Sequence, residues 1–215
     1  MRLTALPILL IIITANLLLI GCDNEKRVPP SNLDKPWMVK IIDENKTEVL
    51  GIVIGSDSAE VVKKKVKSEP KIAIFEEING SYSLEAYYAK VEINKFSGEL
   101  IANLEIDNEW AKKALLSKVK SKAAARKAKQ YFLDAISYRQ ALNRKVIGLT
   151  FLPSFNLTEE IIIERFGKAQ KIIELDDSRA EWLYPEKALF ILLDHNKKDA
   201  IHYLSQALFK TTFPN

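Results

Sequence analysis

The sequence predicts an α+β protein built from two related units, each with a helix and an antiparallel sheet. Runs of alternating apolar and polar residues are separated by turn sequences such as Asn79-Gly80, which is typical of antiparallel strands. Short amphipathic segments follow helix-capping residues in both halves of the chain. The order of these elements recurs after about 100 residues, a spacing that suits a duplicated small domain.

The chain begins with the pattern of a secretory signal. Arg2 supplies a positive charge, residues 8–20 are almost wholly apolar, and the small Gly21 precedes Cys22, the only cysteine. An apolar run of this length falls short of the roughly 20 residues that a membrane-spanning helix needs. We therefore expect residues 1–21 to be a signal peptide and the body to have no second membrane segment.

The end of this segment resembles the bacterial lipobox. The resemblance is carried by Leu19, Ile20, Gly21 and Cys22. It implies that the Cys22 thiol receives a diacylglyceryl group and that the signal peptidase cleaves before it, with an uncleaved anchor as the alternative. An acylated Cys22 leaves no thiol for a disulfide or for a cysteine metal site.

Residues 22–36 are predicted to be a tether between the lipid and the body. Pro29, Pro30 and Pro36 stand among polar residues, which favours an extended chain. Asp23 resembles the signal that retains lipoproteins in the inner membrane of enteric-type bacteria. The expected location is a bacterial membrane, facing the periplasm, with the inner membrane slightly favoured over the outer.

The first unit is predicted over residues 37–106. Residues 37–42 and 48–54 form a hairpin around a polar turn, and a helix over residues 59–67 has Val61, Val62 and Val66 on its apolar face. Three strands with one face for the core and one for water follow, at residues 71–78, 81–94 and 100–106.

Residues 107–145 are predicted to form a long basic helix, from about Glu109 to Asn143, because neither proline nor glycine interrupts them. Residues 109–145 carry eleven lysines and arginines against two acidic residues, whereas the whole chain has a net charge of only +4. Such a helix either links two cores or breaks near Ser121. The export signal argues against nucleic acid as its partner.

The second unit is predicted over residues 146–215. Its first residues, Val146-Ile147-Gly148-Leu149, repeat the order of Val49-Leu50-Gly51-Ile52, and Thr158 caps a helix over residues 159–166. Three further strands are predicted at residues 170–175, 180–193 and 200–204.

The second unit resembles the small lipoprotein module of the BamE (SmpA/OmlA) family. The resemblance rests on Gly148, Thr158-Glu159, Phe166-Gly167-Lys168-Ala169 and Trp182-Leu183-Tyr184. A tandem pair of such units also resembles the architecture of the β-lactamase inhibitor protein, whose concave sheet grips an enzyme. Both resemblances imply a binding module and neither implies catalysis.

The candidate catalytic residues of the sequence do not indicate an enzyme. The two histidines, His195 and His202, could approach each other across a hairpin, but a metal site would require a third ligand such as Asp194 or Asp199. We interpret both as polar hairpin positions. The sequence contains no G-x-S-x-G motif and no glycine-rich phosphate loop. Neither a cofactor nor a metal is expected.

The expected function is that of a non-enzymatic interaction module that binds an envelope protein, as an inhibitor, an immunity protein or an assembly factor. Candidate contact residues lie in the basic helix and on the sheets: Lys118, Lys120, Lys122, Arg126, Lys127, Tyr87, Tyr88, Trp182 and Tyr184. The alternative is binding to anionic lipid through the basic helix 109–145, where each cation near the surface contributes about 1 kcal/mol. A solvated linker helix would explain the same charges.

Overall fold

The structure is a computed structural model that describes residues 35–116, 121–123 and 129–214. Helices and antiparallel strands alternate along this part of the chain, which confirms the α+β class. Among the described residues, no helix is long and apolar enough to cross a membrane. The predicted signal peptide, Cys22 and most of the tether lie outside the described residues.

Thirteen strands lie within the described ranges. They are β1 (Lys40–Asp43), β2 (Lys46–Val49), β3 (Ile52–Ile54), β4 (Lys71–Glu76), β5 (Tyr82–Ile93), β6 (Phe96–Leu104), β7 (Ser121–Ala123), β8 (Lys129–Phe132), β9 (Val146–Pro153), β10 (Lys171–Asp176), β11 (Arg179–Tyr184), β12 (Leu189–Asp194) and β13 (Ala200–Leu204). The helices of the same ranges are α1 (Ala59–Val66), α2 (Asn108–Leu116), α3 (Ala135–Leu142), α4 (Glu159–Phe166) and α5 (Gln206–Thr212).

Ten of the strands form one sheet in the order β10-β11-β12-β13-β9-β6-β5-β4-β8-β7, and β1–β3 form a small second sheet. The two halves of the chain meet where β6 pairs with β9. Gly98 lies at this junction opposite Pro153. A Cβ at Gly98 would stand 2.4 Å from the carbonyl oxygen of Leu152 and 2.7 Å from the Phe151 ring. Only glycine therefore fits this close approach.

Helices α1 and α4 begin where the sequence predicts, but Val61 of the predicted apolar face of α1 is 42% exposed. The Ser58 and Thr158 side chains accept hydrogen bonds from the backbone N–H groups of Val61 and Ile161, the third residue of each helix. The buried faces, Val62 and Val66 in α1 and Ile162 and Phe166 in α4, belong to the main core.

The main core lies on one face of the ten-stranded sheet and draws residues from both halves of the chain. Trp37 packs edge-on against Phe96 of β6 and Phe166 of α4, at centroid distances of 5.2 and 6.4 Å. The buried Tyr203 hydroxyl donates a hydrogen bond to the carbonyl of Pro36 at 2.9 Å. The chain that enters from the predicted tether is thus fixed to the core.

The strand pairs β4–β5 and β10–β11 have the same register. Lys71, Ile72 and Ala73 face Tyr87, Ala86 and Glu85. Lys171, Ile172 and Ile173 face Leu183, Trp182 and Glu181 in the same order. Both pairs follow the amphipathic helix of their half of the chain.

The single long helix predicted over residues 109–143 is wrong. Helix α2 ends at Leu116, β8 occupies residues 129–132, and α3 starts anew at residue 135. The Asp134 side chain accepts hydrogen bonds from the backbone N–H groups of Ile136 and Ser137 and so begins a separate helix. Strand β8 pairs with β4, and Tyr131 donates a hydrogen bond to Glu76 at 2.6 Å. This tertiary pairing outweighs the local helix propensity.

Two predicted strands are divided by turns. The run over residues 48–54 breaks between β2 and β3 at Leu50 and Gly51, which have φ values of 52° and 64°. The run over residues 180–193 breaks into β11 and β12 at Pro185, which opens a short 3₁₀ turn to Lys187. Proline has no N–H to donate, so a strand in the middle of a sheet does not continue through it.

Candidate protein-binding groove

The ten-stranded sheet has a second face, opposite the main core, which we call the open face. Alternate residues of each strand point to the two faces. On β5, Leu84, Ala86 and Tyr88 are buried in the main core, whereas Glu85 and Tyr87 stand on the open face and are half-buried.

Helix α5 covers the open face over strands β10–β13. Phe209 is buried there with Leu183 and Leu204 in a separate hydrophobic cluster. Phe213 packs edge-on against Phe190 of β12 at a centroid distance of 5.0 Å. Helix α5 therefore covers part of the open face of the second half, whereas Leu175 of β10 remains 44% exposed.

Over strands β4, β5, β6 and β8 the open face forms a groove of about 410 Å³, which we call the first-half groove. Its lining consists of Lys71, Ala73, Phe75, Glu85, Tyr87, Ile101, Gln130 and Phe132. Phe75, Tyr87, Ile101 and Phe132 belong to neither hydrophobic cluster of the described chain. Together they give the groove aromatic and aliphatic walls.

One carboxylate lies among these walls. Burial raises the pKa of Glu85 above its ordinary value, and the nearby charge of Glu77 adds to the shift. Lys71 and Gln130 line the same groove, but no hydrogen bond or ion pair joins Glu85 to another described residue.

Tyr87 links the groove to a polar cluster at its rim. Burial and a hydrogen bond with Glu99 raise the pKa of the Tyr87 hydroxyl. Lys198 forms an ion pair with Glu99 and, as the main cause, lowers the pKa of that carboxyl group. These contacts hold the Tyr87 ring in place on the open face.

The first-half groove corresponds in register to the surface beneath α5. Ala73 and Tyr87 of the groove take the positions of Ile173 and Leu183, both of which pack in the α5 cluster. A cavity beside α5 is lined by Lys171, Ile173 and Leu183, whose counterparts Lys71, Ala73 and Tyr87 line the groove. The same surface is covered in one half of the sheet and open in the other.

Three of the four aromatic residues predicted to contact a partner are buried in the core, so that prediction is wrong for them. Tyr88 and Tyr184 are fully buried and Trp182 is 5% exposed, because strand alternation points all three to the core face. The two tyrosine hydroxyls bond to helix residues instead: Tyr88 donates to the carbonyl of Ala59 at 2.8 Å, and Tyr184 donates to that of Gly167 at 3.0 Å. Tyr87 alone lies on the open face.

Most of the basic residues predicted as contacts lie outside the described residues: Lys118, Lys120, Arg126 and Lys127. Lys122 lies in β7, at the edge of the large sheet, opposite Gln130. These five residues remain predicted contacts.

The histidines occupy different environments. His202 stacks on Phe190 at a centroid distance of 4.3 Å, and its Nδ1 lies 2.9 Å from the Thr150 hydroxyl. Burial lowers the pKa of His202 to about 4. His195 is exposed after β12. In the part of the chain that the structure describes, no three histidine, cysteine or acidic side chains form a group that could hold a metal ion.

Sequence reasoning missed Glu85, Ile101, Phe75 and Phe132. The alternation within β4, β5 and β6 places the first three on one face, so the pattern contained that signal. Phe132 joins them only because β8 pairs with β4, and this pairing links distant parts of the chain.

Comparison with protein-family models, with curated proteins and with solved structures finds no match to this chain. The resemblances to the BamE family and to the β-lactamase inhibitor protein therefore remain predictions from the sequence.

Proposed function

We propose that this protein is a membrane-anchored lipoprotein that faces the periplasm and acts as a non-enzymatic protein-interaction module. Its partner is an envelope protein, which binds the first-half groove. The observation that carries the proposal is the contrast between the halves: α5 covers the open face of β10–β13, whereas Phe75, Tyr87 and Ile101 line an open groove at the matching surface. Aromatic side chains in such a concave surface are typical binding hot spots.

The anchoring part of the proposal rests on the lipobox resemblance of residues 19–22. Lipidation of Cys22 would hold the body at the membrane through the tether, and Asp23 favours the inner membrane. A lipid anchor brings a binding surface close to its envelope partner and raises the effective concentration for the encounter.

The proposed architecture is a tandem of two related units, residues 37–106 and 146–215. The matching registers of β4–β5 and β10–β11 support it, as do the equivalent caps Ser58 and Thr158. Inhibitor, immunity protein and assembly factor are the forms of interaction module that the tandem arrangement favours by analogy. The segment between the units contributes α2, α3 and the two strands at one edge of the large sheet, β8 and β7.

Site-specific photo-crosslinking in cells tests the groove. A photoreactive amino acid in place of Ile101, inside the groove, should capture one partner in stoichiometric amount. The matched control places the same residue at Ile163, which is 51% exposed on α4, a helix that packs on the other face. Capture of the same partner from both positions, or from Ile163 alone, would contradict the proposal. Tyr87→Ala should then reduce capture from Ile101 at least tenfold.

A second candidate function is binding to anionic membrane lipid through the basic segment 109–145. The observation that favours it is the concentration of eleven cationic residues there, of which Lys112 and Lys113 are exposed on α2. Removing the charges of Lys118, Lys120, Lys122, Arg126 and Lys127 should abolish binding of the unlipidated chain to phosphatidylglycerol vesicles. Equal binding before and after their removal would exclude this candidate.

A further inference from the structure

We propose that the first-half groove binds a short amphipathic helix of the partner that carries two large apolar side chains, one turn apart, and a lysine or arginine that pairs with Glu85. This inference rests on the proposed function and specifies the chemistry of the partner. No sequence motif indicates that Glu85 contacts a ligand or that the ligand is a helix.

The chain itself shows what kind of element suits this surface. Helix α5 has seven residues, and it places Phe209 and nearby Phe213 on the open face of the second half. Phe213 directly follows the last turn of the helix, and its ring packs against Phe209 and against Phe190 of β12, so two aromatic rings reach the sheet together. The surface beneath them has the same strand register as the first-half groove. A short helix of similar character can therefore cover the groove.

Glu85 adds a requirement for charge to the ligand of the groove. A helix that covered the groove would remove Glu85 from water, and an unpaired buried carboxylate costs several kcal/mol. The cost falls when the ligand brings a cation, which forms a charge-assisted hydrogen bond with the carboxylate. Glu77 adds a second negative charge to the surroundings of Glu85. A neutral or acidic helix would lack this compensation.

The groove also has the walls for the apolar part of the ligand. Phe75, Tyr87 and Ile101 surround the position of Glu85 on three neighbouring strands. Lysine and arginine carry aliphatic stems that pack along such side chains while the charged end reaches a carboxylate. Arginine can also stack on an aromatic ring such as that of Tyr87.

A displayed library of a short helical peptide with randomised surface positions tests the inference. The target is the full-length protein in detergent micelles, and binding of the selected peptides is measured by fluorescence anisotropy. We expect selected peptides to carry a lysine or arginine next to two large apolar residues at positions i and i+4. Glu85→Gln, which preserves the shape of the side chain, should weaken their binding at least tenfold.

The matched control is Glu181→Gln. Glu181 has the register position of Glu85 in the second half, and burial raises its pKa as well. Its substitution should leave peptide binding unchanged. If Tyr87→Ala abolishes binding and Glu85→Gln does not, the inference is wrong although the groove still binds. If neither substitution changes binding, the groove is not the binding surface and the proposed function is contradicted too.

Discussion

His202 is a side chain on the open face whose ionisation the fold disfavours. Its ring lies flat against Phe190 and beside the Thr150 hydroxyl, in a position from which water is largely removed. Burial lowers the pKa of His202 from its ordinary value of about 6.5 to about 4. The folded state therefore keeps the imidazole neutral where the unfolded chain already binds a proton.

The pH dependence of folding should report this difference. Above about pH 6.5 the imidazole is neutral in both states, so His202 makes no pH-dependent contribution there. As the pH falls from 6.5 towards 4, the unfolded chain gains a proton that the folded chain does not, and stability decreases. Between pH 7 and pH 4.5 this loss should reach about 2 kcal/mol. Urea unfolding followed by tryptophan fluorescence measures it.

Two variants separate this contribution from that of the carboxylates. His202→Gln should lose about 2 kcal/mol less stability than the wild type between the two pH values. His195→Gln, at an exposed position, should behave like the wild type. An identical loss in His202→Gln and the wild type would show that His202 titrates normally in the folded protein.

At the scale of single elements, the sequence predicts those whose signals are local. Ser58 and Thr158 mark the starts of α1 and α4 because a capping side chain bonds to the backbone of its own helix. The three strands of the first meander follow from alternation and from the Asn79-Gly80 turn. The prediction of a helix is wrong for residues 129–132, because they form β8 by pairing with β4, which lies more than 50 residues earlier in the chain.

The sequence likewise predicts only part of the candidate site. Tyr87 could be named from its sequence, but its neighbour Tyr88 could not be told apart from it without the register of β5. Alternation alone leaves open which face of a sheet is covered, since that depends on where α5 packs. The contrast between the first-half groove and the matching surface depends on α5, which was not predicted at all.

Helix α5 should be a stabilising element, in contrast to the groove. Phe209, on the buried side of α5, is 3% exposed, whereas Phe132 at the rim of the groove is 36% exposed. Phe209→Ala should lower the free energy of unfolding by about 3 kcal/mol, because it leaves a cavity between helix and sheet. Phe132→Ala should cost less than about 1 kcal/mol. Urea denaturation of both variants measures the difference, and equal losses would argue that α5 is not a tightly packed cover.

At the scale of the whole molecule, the two proposed units form one sheet and one main core together. The pairing of β6 with β9 makes one sheet out of strands from both halves, and the main core contains residues from both. Trp37 contacts Phe96 in one half and Phe166 in the other. Neither half can bury its core residues without the other. A duplicated origin would therefore not make the halves independent in folding.

Unfolding should be a single cooperative transition that both halves report together. Trp110 lies on α2, where its indole N–H donates to the Gln140 side chain at 2.9 Å, and Trp182 lies in β11. Variants that retain only one of these two tryptophans, with phenylalanine at the other tryptophan positions, give separate fluorescence probes of each half. A cooperative fold requires that the free energy of unfolding reported by each probe equal that from circular dichroism of the same variant.

Gly98→Ala, which crowds the β6–β9 junction, should lower the stability reported by both probes equally, by about 2 kcal/mol, because the damage is to a shared interface. Ser97→Ala, at the exposed neighbouring position, serves as the control and should change neither. A loss seen by one tryptophan and not by the other would mean that the halves unfold separately, and the continuous sheet would then be a weak contact between two stable units.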